Sequence, residues 1–169
     1  MKTSFDRKNT RAVHVGKLVI GDGNPVHIQS MTNTDTHDID ATYDQVMRLT
    51  EAGADIVRIT APDLDAVKTF EALVARGVSI PLVADIHFNH EIAIAAAEHG
   101  ASKIRINPGN IGDDSKVFRV VEACRSAGVP IRIGVNSGSL EKHILEKHGS
   151  PTPEALVSNT LETNCNHKE

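Results

Sequence analysis

Five apolar strand segments alternate with helical segments along this chain, in a repeat of about 25 residues. Apolar residues recur at helical spacing near 42–52, 63–76, 89–99, 114–127 and 153–162. Four of these segments end at a glycine just before the next strand, at Gly53, Gly77, Gly100 and Gly128. Because a repeated strand–helix unit requires parallel strands, it restricts the fold to an open α/β sheet or a closed barrel.

The helix starts are marked by side chains that cap free backbone N–H groups. Thr42 and Gln45 match the Thr-x-x-Gln pattern of a capping box, and Asp63 and Asn89 are good N-caps. Thr152-Pro153 places a proline at the first position of the last helix. Ahead of the first helix, the sequence predicts a short hairpin over 13–25 that leads to a strand over 26–31.

Polar pairs occupy the ends of four strands. They are Arg58 with Thr60, Asp85 with His87, Arg105 with Asn107, and Arg132 with Asn136. Because successive strand side chains point to opposite faces, the two members of each pair share one face. A doubly wound sheet needs site residues at only one or two strand ends, whereas a barrel draws them from many. We therefore predict an α/β fold of the (β/α)8 TIM-barrel type, truncated after about five βα units, with an N-terminal hairpin.

Three of these strand ends carry an arginine, at Arg58, Arg105 and Arg132. Barrel curvature would bring the three guanidinium groups to one mouth, and guanidinium binds phosphate oxygens in a bidentate manner. Three cations exceed what a monocarboxylate needs, so the pattern predicts a diphosphate site. The alternative is that the arginines form structural ion pairs with Asp85 or other acids.

Other motifs around these strand ends are open to two interpretations. Asp85 and His87 could transfer a proton or hold a ligand hydroxyl, or could merely brace their neighbours. The glycine-bearing loops Asn107–Gly112 and Asn136–Leu140 could direct backbone N–H groups at an anion, although glycine and asparagine are ordinary turn residues. The hydroxyl-rich stretch Ser30–Thr36 is either a ligand-binding loop or a solvated connection with capping threonines.

Composition excludes several classes of partner. The formal net charge of −4 and an aromatic content of 3% argue against nucleic acid. No apolar run approaches the ~20 residues of a membrane span, and the first ten residues lack an apolar signal core, so we expect a cytoplasmic protein without membrane contact. Two cysteines without Cys-x-x-Cys spacing argue against a disulfide scaffold or a metal site within the chain. Cys124 follows an apolar helical stripe, which is typical of a core thiol.

Five long sequence strings resemble one family. They are Gln29–Thr36, Val83–Phe88, Arg105–Gly112, Ile131–Leu140 and Pro151–Val157. In order, they are similar to the amino-terminal half of 4-hydroxy-3-methylbut-2-enyl diphosphate synthases, from about Arg11 to Val157. The resemblance implies a reductive ring opening of 2-C-methyl-erythritol 2,4-cyclodiphosphate to 4-hydroxy-3-methylbut-2-enyl diphosphate, in the non-mevalonate pathway of isoprenoid biosynthesis. The compartment implied is the cytoplasm, or the plastid in a plant.

The resemblance also implies partners and site residues. In this family the electrons come from flavodoxin or ferredoxin through a [4Fe-4S] cluster, and the barrel of one subunit of the homodimer is closed by the cluster domain of the other. Its substrate-binding residues correspond to Arg58, Asp85, His87, Arg105, Asn107, Arg132 and Asn136. The resemblance assigns no catalytic residue here.

The sequence departs from the family pattern near its carboxyl end. We expect a partial TIM-barrel domain over 1–157, a divergent polar tail over 158–169, and no carboxyl-terminal iron–sulfur domain. Neither Cys124 nor Cys165 matches a cluster ligand, so no cluster is expected on this chain, and the chain alone is expected to be inactive. One alternative is a non-catalytic diphosphate-binding or assembly module from a shortened gene. Another is a pterin-type synthase barrel, which shares polar strand ends but lacks the five strings.

Overall fold

The structure, a computed structural model, describes residues 9–140 and 142–166, and within these ranges it describes all side chains except those of residues 108, 109, 139 and 163–166. An antiparallel hairpin opens the fold and consists of β1 (Val13–Val15) and β2 (Leu18–Ile20). This confirms the predicted N-terminal hairpin.

Five parallel strands form the main sheet in the order of the chain. They are β3 (Gln29–Met31), β4 (Ile56–Thr60), β5 (Leu82–Asp85), β6 (Lys103–Ile106) and β7 (Ile131–Ile133). A doubly wound sheet would reverse its strand order at a switch point, whereas this order runs in one direction, as in a section of a barrel. Strand β3, the first of the main sheet, is shorter than the predicted strand over 26–31, because only Gln29 to Met31 pair with β4.

Seven helices follow the strands within the described part of the chain. They are α1 (Ile39–Glu51), α2 (Leu64–Ala75), α3 (His90–Glu98), α4 (Pro108–Ile111), α5 (Asp114–Ala127), α6 (Lys142–His148) and α7 (Pro153–Asn166). The sequence patterns predicted five of them and missed the short helices α4 and α6. Helix α7 runs past the expected end at 162, and the expected boundary between the barrel domain and the tail, at 157/158, lies within this helix.

The predicted caps of α2 and α3 are confirmed, whereas that of α1 is wrong. The side chains of Asp63 and Asn89 accept hydrogen bonds from N–H groups in the first turns of α2 and α3. Helix α1 instead begins at Ile39, with Asp38 as its N-cap. The proposed box residue Gln45 accepts hydrogen bonds from the backbone of the loop before α1, at 2.9 and 3.2 Å, so it fastens this loop and not the helix start.

The hydrophobic core lies between the sheet and the helices. Val57 and Ile59 on β4 point toward α2, whose Phe70 and Leu73 are fully buried. Truncation of a buried phenylalanine to alanine costs about 3–5 kcal/mol. This packing leaves the alternate residues of β4, including Arg58, on the opposite face, where the site is found. None of the helices in the described ranges is long and apolar enough to cross a membrane.

Gly100 shows why glycine ends these helices. Its φ of +101° belongs to a backbone conformation that other residues rarely adopt. A Cβ at this position would also lie 3.0 Å from a methyl group of Val74 on α2. The glycine that follows α3 therefore lets the chain turn tightly into β6 while it packs against the neighbouring helix.

Candidate anion-binding site

A cavity of about 730 Å³ opens at the carboxyl ends of the strands, and we refer to it as the strand-end cavity. Its lining residues are Arg58, His87, Arg105, Arg132, Ile133, Gly134, Val135, Asn136, Leu156, Val157, Thr160 and Leu161. All three predicted arginines are thus brought together, from β4, β6 and β7. Helix α7 supplies the apolar wall of the same cavity.

Asp85 holds two of the three arginines. Its carboxylate is fully buried, and its two oxygens lie 2.8 Å from Nη2 of Arg58 and 3.2 Å from Nη1 of Arg105. The ion-pair alternative therefore applies to these two residues, although both also line the cavity. One carboxylate offsets only one of the two positive charges, so the pair of arginines stays cationic.

Arg132 is the accessible cation of the site. It is exposed and is paired in register with Arg105 on the neighbouring strand, so both side chains emerge on the same face. Within the described residues it forms no ion pair or hydrogen bond. Arg58 also retains a donor, because its buried Nε has no hydrogen-bond partner in the same ranges. Arg132 is suited to donate to the oxygens of an anion in the cavity, whereas the buried Nε of Arg58 is a donor without an acceptor in this arrangement.

His87 lies beyond the end of β5, at the rim of the cavity. Its side chain is 44% exposed, and its Nε2 is 3.8 Å from the nearer oxygen of Asp85, which exceeds hydrogen-bonding distance. The ring instead lies against Phe88, with 5.9 Å between centroids. Of the alternatives for Asp85 and His87, proton transfer between the two has no direct hydrogen bond to support it in this structure.

The two predicted glycine loops differ in structure. Asn107 follows β6 and is buried, and the residues after it form the four-residue helix α4, so Asn107–Gly112 is not an open anion-binding loop. The reason is that Pro108 has its φ preset for a first helical position. Asn136, in contrast, is exposed and lines the strand-end cavity just before a 3-10 turn over Ser137–Ser139.

The hydroxyl-rich loop before α1 is fastened to the sheet and helices. The hydroxyl of Thr36 donates to the carbonyl of Thr60 at 2.7 Å, and that of buried Thr69 donates to the carbonyl of Thr36 at 2.6 Å. These bonds place the loop against β4 and α2. Of its two interpretations, the structure thus favours a connecting segment, although its threonines bond to β4 and α2 and the cap of α1 is Asp38.

Sequence reasoning missed two residues beside the arginines. Lys103 is buried two residues before Arg105 on the same face of β6, and this spacing is the signal that could have identified it. Gly134 lies so close to Arg105 that a Cβ on it would be 2.8 Å from the guanidinium carbon. No local sequence pattern predicts the contact between Gly134 and Arg105, because the two residues belong to different parts of the chain.

The described residues do not fit an iron–sulfur cluster. Cys124 is 1% exposed in the core, and burial raises the pKa of its thiol to about 11, which disfavours the thiolate that a cluster requires. No group of three or more His, Cys, Asp or Glu side chains within the described ranges could hold a metal ion. The side chain of Cys165 lies outside the described residues.

Solved structures with a similar fold include two dihydropteroate synthases. The enzyme from Xanthomonas albilineans gives a TM-score of 0.60 over 92% of this chain and 60% of that chain, and the one from Vibrio fischeri gives 0.57 over 89% and 62%. Both are 16% identical to this chain, so the likeness concerns the fold alone.

Close relatives by sequence are curated bacterial enzymes named 4-hydroxy-3-methylbut-2-en-1-yl diphosphate synthase (flavodoxin). The one from Acidithiobacillus ferrooxidans is 56% identical over 92% of this chain, and the one from Clostridium perfringens is 55% identical over 94%. The chain spans 42% and 45% of these two relatives' length. The model of the GcpE TIM-barrel domain matches residues 10–168. The chain therefore belongs to the GcpE family, of which it contains an amino-terminal part of the TIM-barrel domain.

Proposed function

We propose that this chain binds the diphosphate of 2-C-methyl-erythritol 2,4-cyclodiphosphate, as the amino-terminal barrel part of an enzyme that opens this ring reductively to 4-hydroxy-3-methylbut-2-enyl diphosphate. The observation that carries the proposal is the convergence of Arg58, Arg105 and Arg132 on one cavity. Asp85 is the only carboxylate paired with them in the described part of the chain, so their combined charge is positive. A diphosphate supplies the missing negative charge.

The two walls of the strand-end cavity match a ligand that has both a negatively charged group and a small carbon skeleton. The arginines line one wall, whereas α7 contributes Leu156, Val157 and Leu161 to the other. Val157 and Leu161 are 58% and 59% exposed, so apolar surface is available to the ligand. Pockets that combine apolar walls with a few polar groups orient small molecules in this way.

We assign each site residue a role in binding. Arg58, Arg105 and Arg132 hold the diphosphate, and Asp85 keeps Arg58 and Arg105 in place. His87 and Asn136 contact the ligand from the rim, and Asn107 shapes the end of β6. Within the family, electrons reach the substrate from flavodoxin through a [4Fe-4S] cluster, and a second subunit closes the barrel. We assign no electron-transfer step to the described residues.

Calorimetric titration with the cyclodiphosphate tests the proposal. Wild-type chain is expected to bind it, and Arg105→Ala or Arg132→Ala should each weaken binding by about 2–4 kcal/mol, which is about 30- to 1,000-fold, because a charge-assisted pair is lost. Arg125→Ala removes an equal charge from α5, where Arg125 pairs with Glu122, and should leave the affinity unchanged.

Two results would contradict this assignment. Unchanged affinity in both arginine variants would exclude the strand-end cavity as the diphosphate site. A chain that binds inorganic pyrophosphate but not the cyclodiphosphate would instead be a binding module for simple diphosphates. Binding should also weaken as salt concentration rises, because accessible charges such as Arg132 are screened.

A further inference from the structure

Lys103 is a buried cation that the proposed site does not use. It begins β6 and is 8% exposed, and its Nζ lies 3.4 Å from the amide oxygen of Gln29 on β3. Within the described residues no carboxylate oxygen lies within 4.0 Å of this nitrogen. Lysine is almost never buried without an acidic partner, so this placement needs an explanation.

Lys103 lies one layer below the strand-end cavity. Strand alternation puts it on the same face as Arg105, closer to the amino-terminal end of the sheet. It lines a second cavity of about 340 Å³, which also contains Arg132, Gln29 and His27. Arg132 lines both cavities, so it connects the layer of Lys103 with the layer of the other arginines.

The charges around Lys103 are mostly positive. The groups that face it or lie in the adjoining layer are Arg58 on β4, Asp85 on β5, Arg105 on its own strand, Arg132 on β7, and His27 ahead of β3. His27 is itself paired with the carboxylate of Asp55, at 3.6 Å. Burial lowers the pKa of Lys103, and repulsion by Arg132 and Arg58 lowers it further. The protonation state of the Lys103 amine is therefore coupled to the charges of two arginines of the proposed site, Arg132 and Arg58.

We propose that Lys103 is a positioning residue of the diphosphate site, which raises the affinity for a polyanion through space and without touching it. This inference rests on the proposed function. A diphosphate bound at Arg58 and Arg132 would cancel the repulsion that these residues exert on the ammonium group. By reciprocity, the ammonium group stabilises the bound anion.

The effect of Lys103 on anion affinity should decrease as the pH rises. Anion binding raises the pKa of Lys103 from its lowered value in the free protein. The gain in affinity from Lys103 is therefore complete at pH values below the pKa of Lys103 in the free protein. It is lost as the pH rises through that pKa toward the higher pKa of Lys103 in the complex. Binding between these two values takes up a proton.

Titration of the 169-residue chain with inorganic pyrophosphate tests the inference, from about pH 7 to about pH 10. Lys103→Met, which removes the charge and keeps an unbranched side chain, should weaken binding at the lower pH on the order of three- to tenfold and flatten the pH profile. Lys103→Arg should retain the affinity but lose the pH dependence. Lys68→Met is the control: it removes a charge from the exposed face of α2 and should bind pyrophosphate like the wild type at every pH. Any pH dependence that this control shares with the wild type and with Lys103→Met comes from the protonation of pyrophosphate itself.

A nuclear magnetic resonance titration of the Lys103 amine keeps the test independent of whether Lys103→Met folds. Pyrophosphate should raise the pKa of Lys103 in the wild type, and Arg132→Gln should raise it without any ligand. Wild-type affinity and pH profile in a folded Lys103→Met variant would overturn the inference. So would a Lys103 pKa that responds neither to pyrophosphate nor to Arg132→Gln, even if pyrophosphate binds. Absence of pyrophosphate binding with a pKa that still responds to Arg132→Gln would overturn the role of Lys103 in polyanion binding, whereas the proposed function is decided by the titration with the cyclodiphosphate.

Discussion

The backbone of Gly134 faces the guanidinium group of Arg105 so closely that a side chain on Gly134 has no room. A Cβ at Gly134 would lie 2.5 Å from Nη2 of Arg105 and 2.8 Å from its Cζ. Arg105 is 8% exposed, and it is held from the other side by Asp85. The absence of a side chain on Gly134 therefore defines where this arginine points.

Gly134→Ala should displace Arg105 and weaken pyrophosphate binding about tenfold, the equivalent of about 1.4 kcal/mol. The physical reason is that the guanidinium group must move away from the new methyl group and lose alignment with both Asp85 and the ligand. Gly138→Ala is the matched control, because a Cβ on Gly138 meets nothing within 4 Å. Equal affinities in the two variants, measured by calorimetry, would contradict this role of Gly134.

Asp85→Asn should lower the free energy of unfolding by about 3 kcal/mol, because it leaves Arg58 and Arg105 without their buried counter-charge. The same change removes the negative charge nearest the ligand, so pyrophosphate should stabilise the variant more than it stabilises the wild type. Urea unfolding with and without pyrophosphate measures both effects. Asp65→Asn, at an exposed ion pair, should cost less than about 1 kcal/mol.

His37 links the loop before α1 to the start of α2. Its Nδ1 lies 2.8 Å from Asp35, and its Nε2 lies 3.0 Å from the carboxylate of Asp63. Hydrogen bonds to Asp35 and then Asp63 raise the pKa of His37 above 6.5. The pKa of Asp35 is lowered below 3.8, mainly by the backbone N–H of His37, and that of Asp63 is lowered mainly by the N–H of Ala66.

The contribution of His37 to stability should therefore be greatest between pH 3.8 and pH 6.5. It is lost as the pH rises through the raised pKa of His37, and also as the pH falls through the lowered pKa values of the two carboxylates. Unfolding free energies of wild type and His37→Gln, measured against pH, should differ most in this window and converge above it. His99→Gln, which removes only a bond to the Ala95 carbonyl, should show no such window. A constant difference for His37→Gln at all pH values would refute the link.

Cys124 should resist thiol reagents in the folded protein. It is 1% exposed, and burial raises its thiol pKa to about 11, so little thiolate is present near neutral pH. In a Cys165→Ser background, labelling with a disulfide reagent should be slow without urea and complete once the chain unfolds. Immediate labelling under native conditions would show that the core around α5 is open.

The periodic part of the structure follows from local sequence. Apolar spacing and the glycines at Gly53, Gly77, Gly100 and Gly128 predicted the alternation of strands and helices, because both depend on residues close together in the chain. The short helices α4 and α6 were not predicted, because four and seven residues form too few turns for a periodic apolar pattern. The helix cap at Asp38 was missed because Thr42 and Gln45 bond to a loop that precedes the helix.

For the site, the sequence by itself determined that Arg58, Arg105 and Arg132 share one face at the strand ends, because the apolar residues that alternate with them in each strand face the helices. Only the tertiary structure decided that Asp85 holds the first two of these and leaves Arg132 accessible. It also placed Lys103 below them. These outcomes depend on register and distance between strands that are 20 or more residues apart in the chain, and no local pattern encodes such distances.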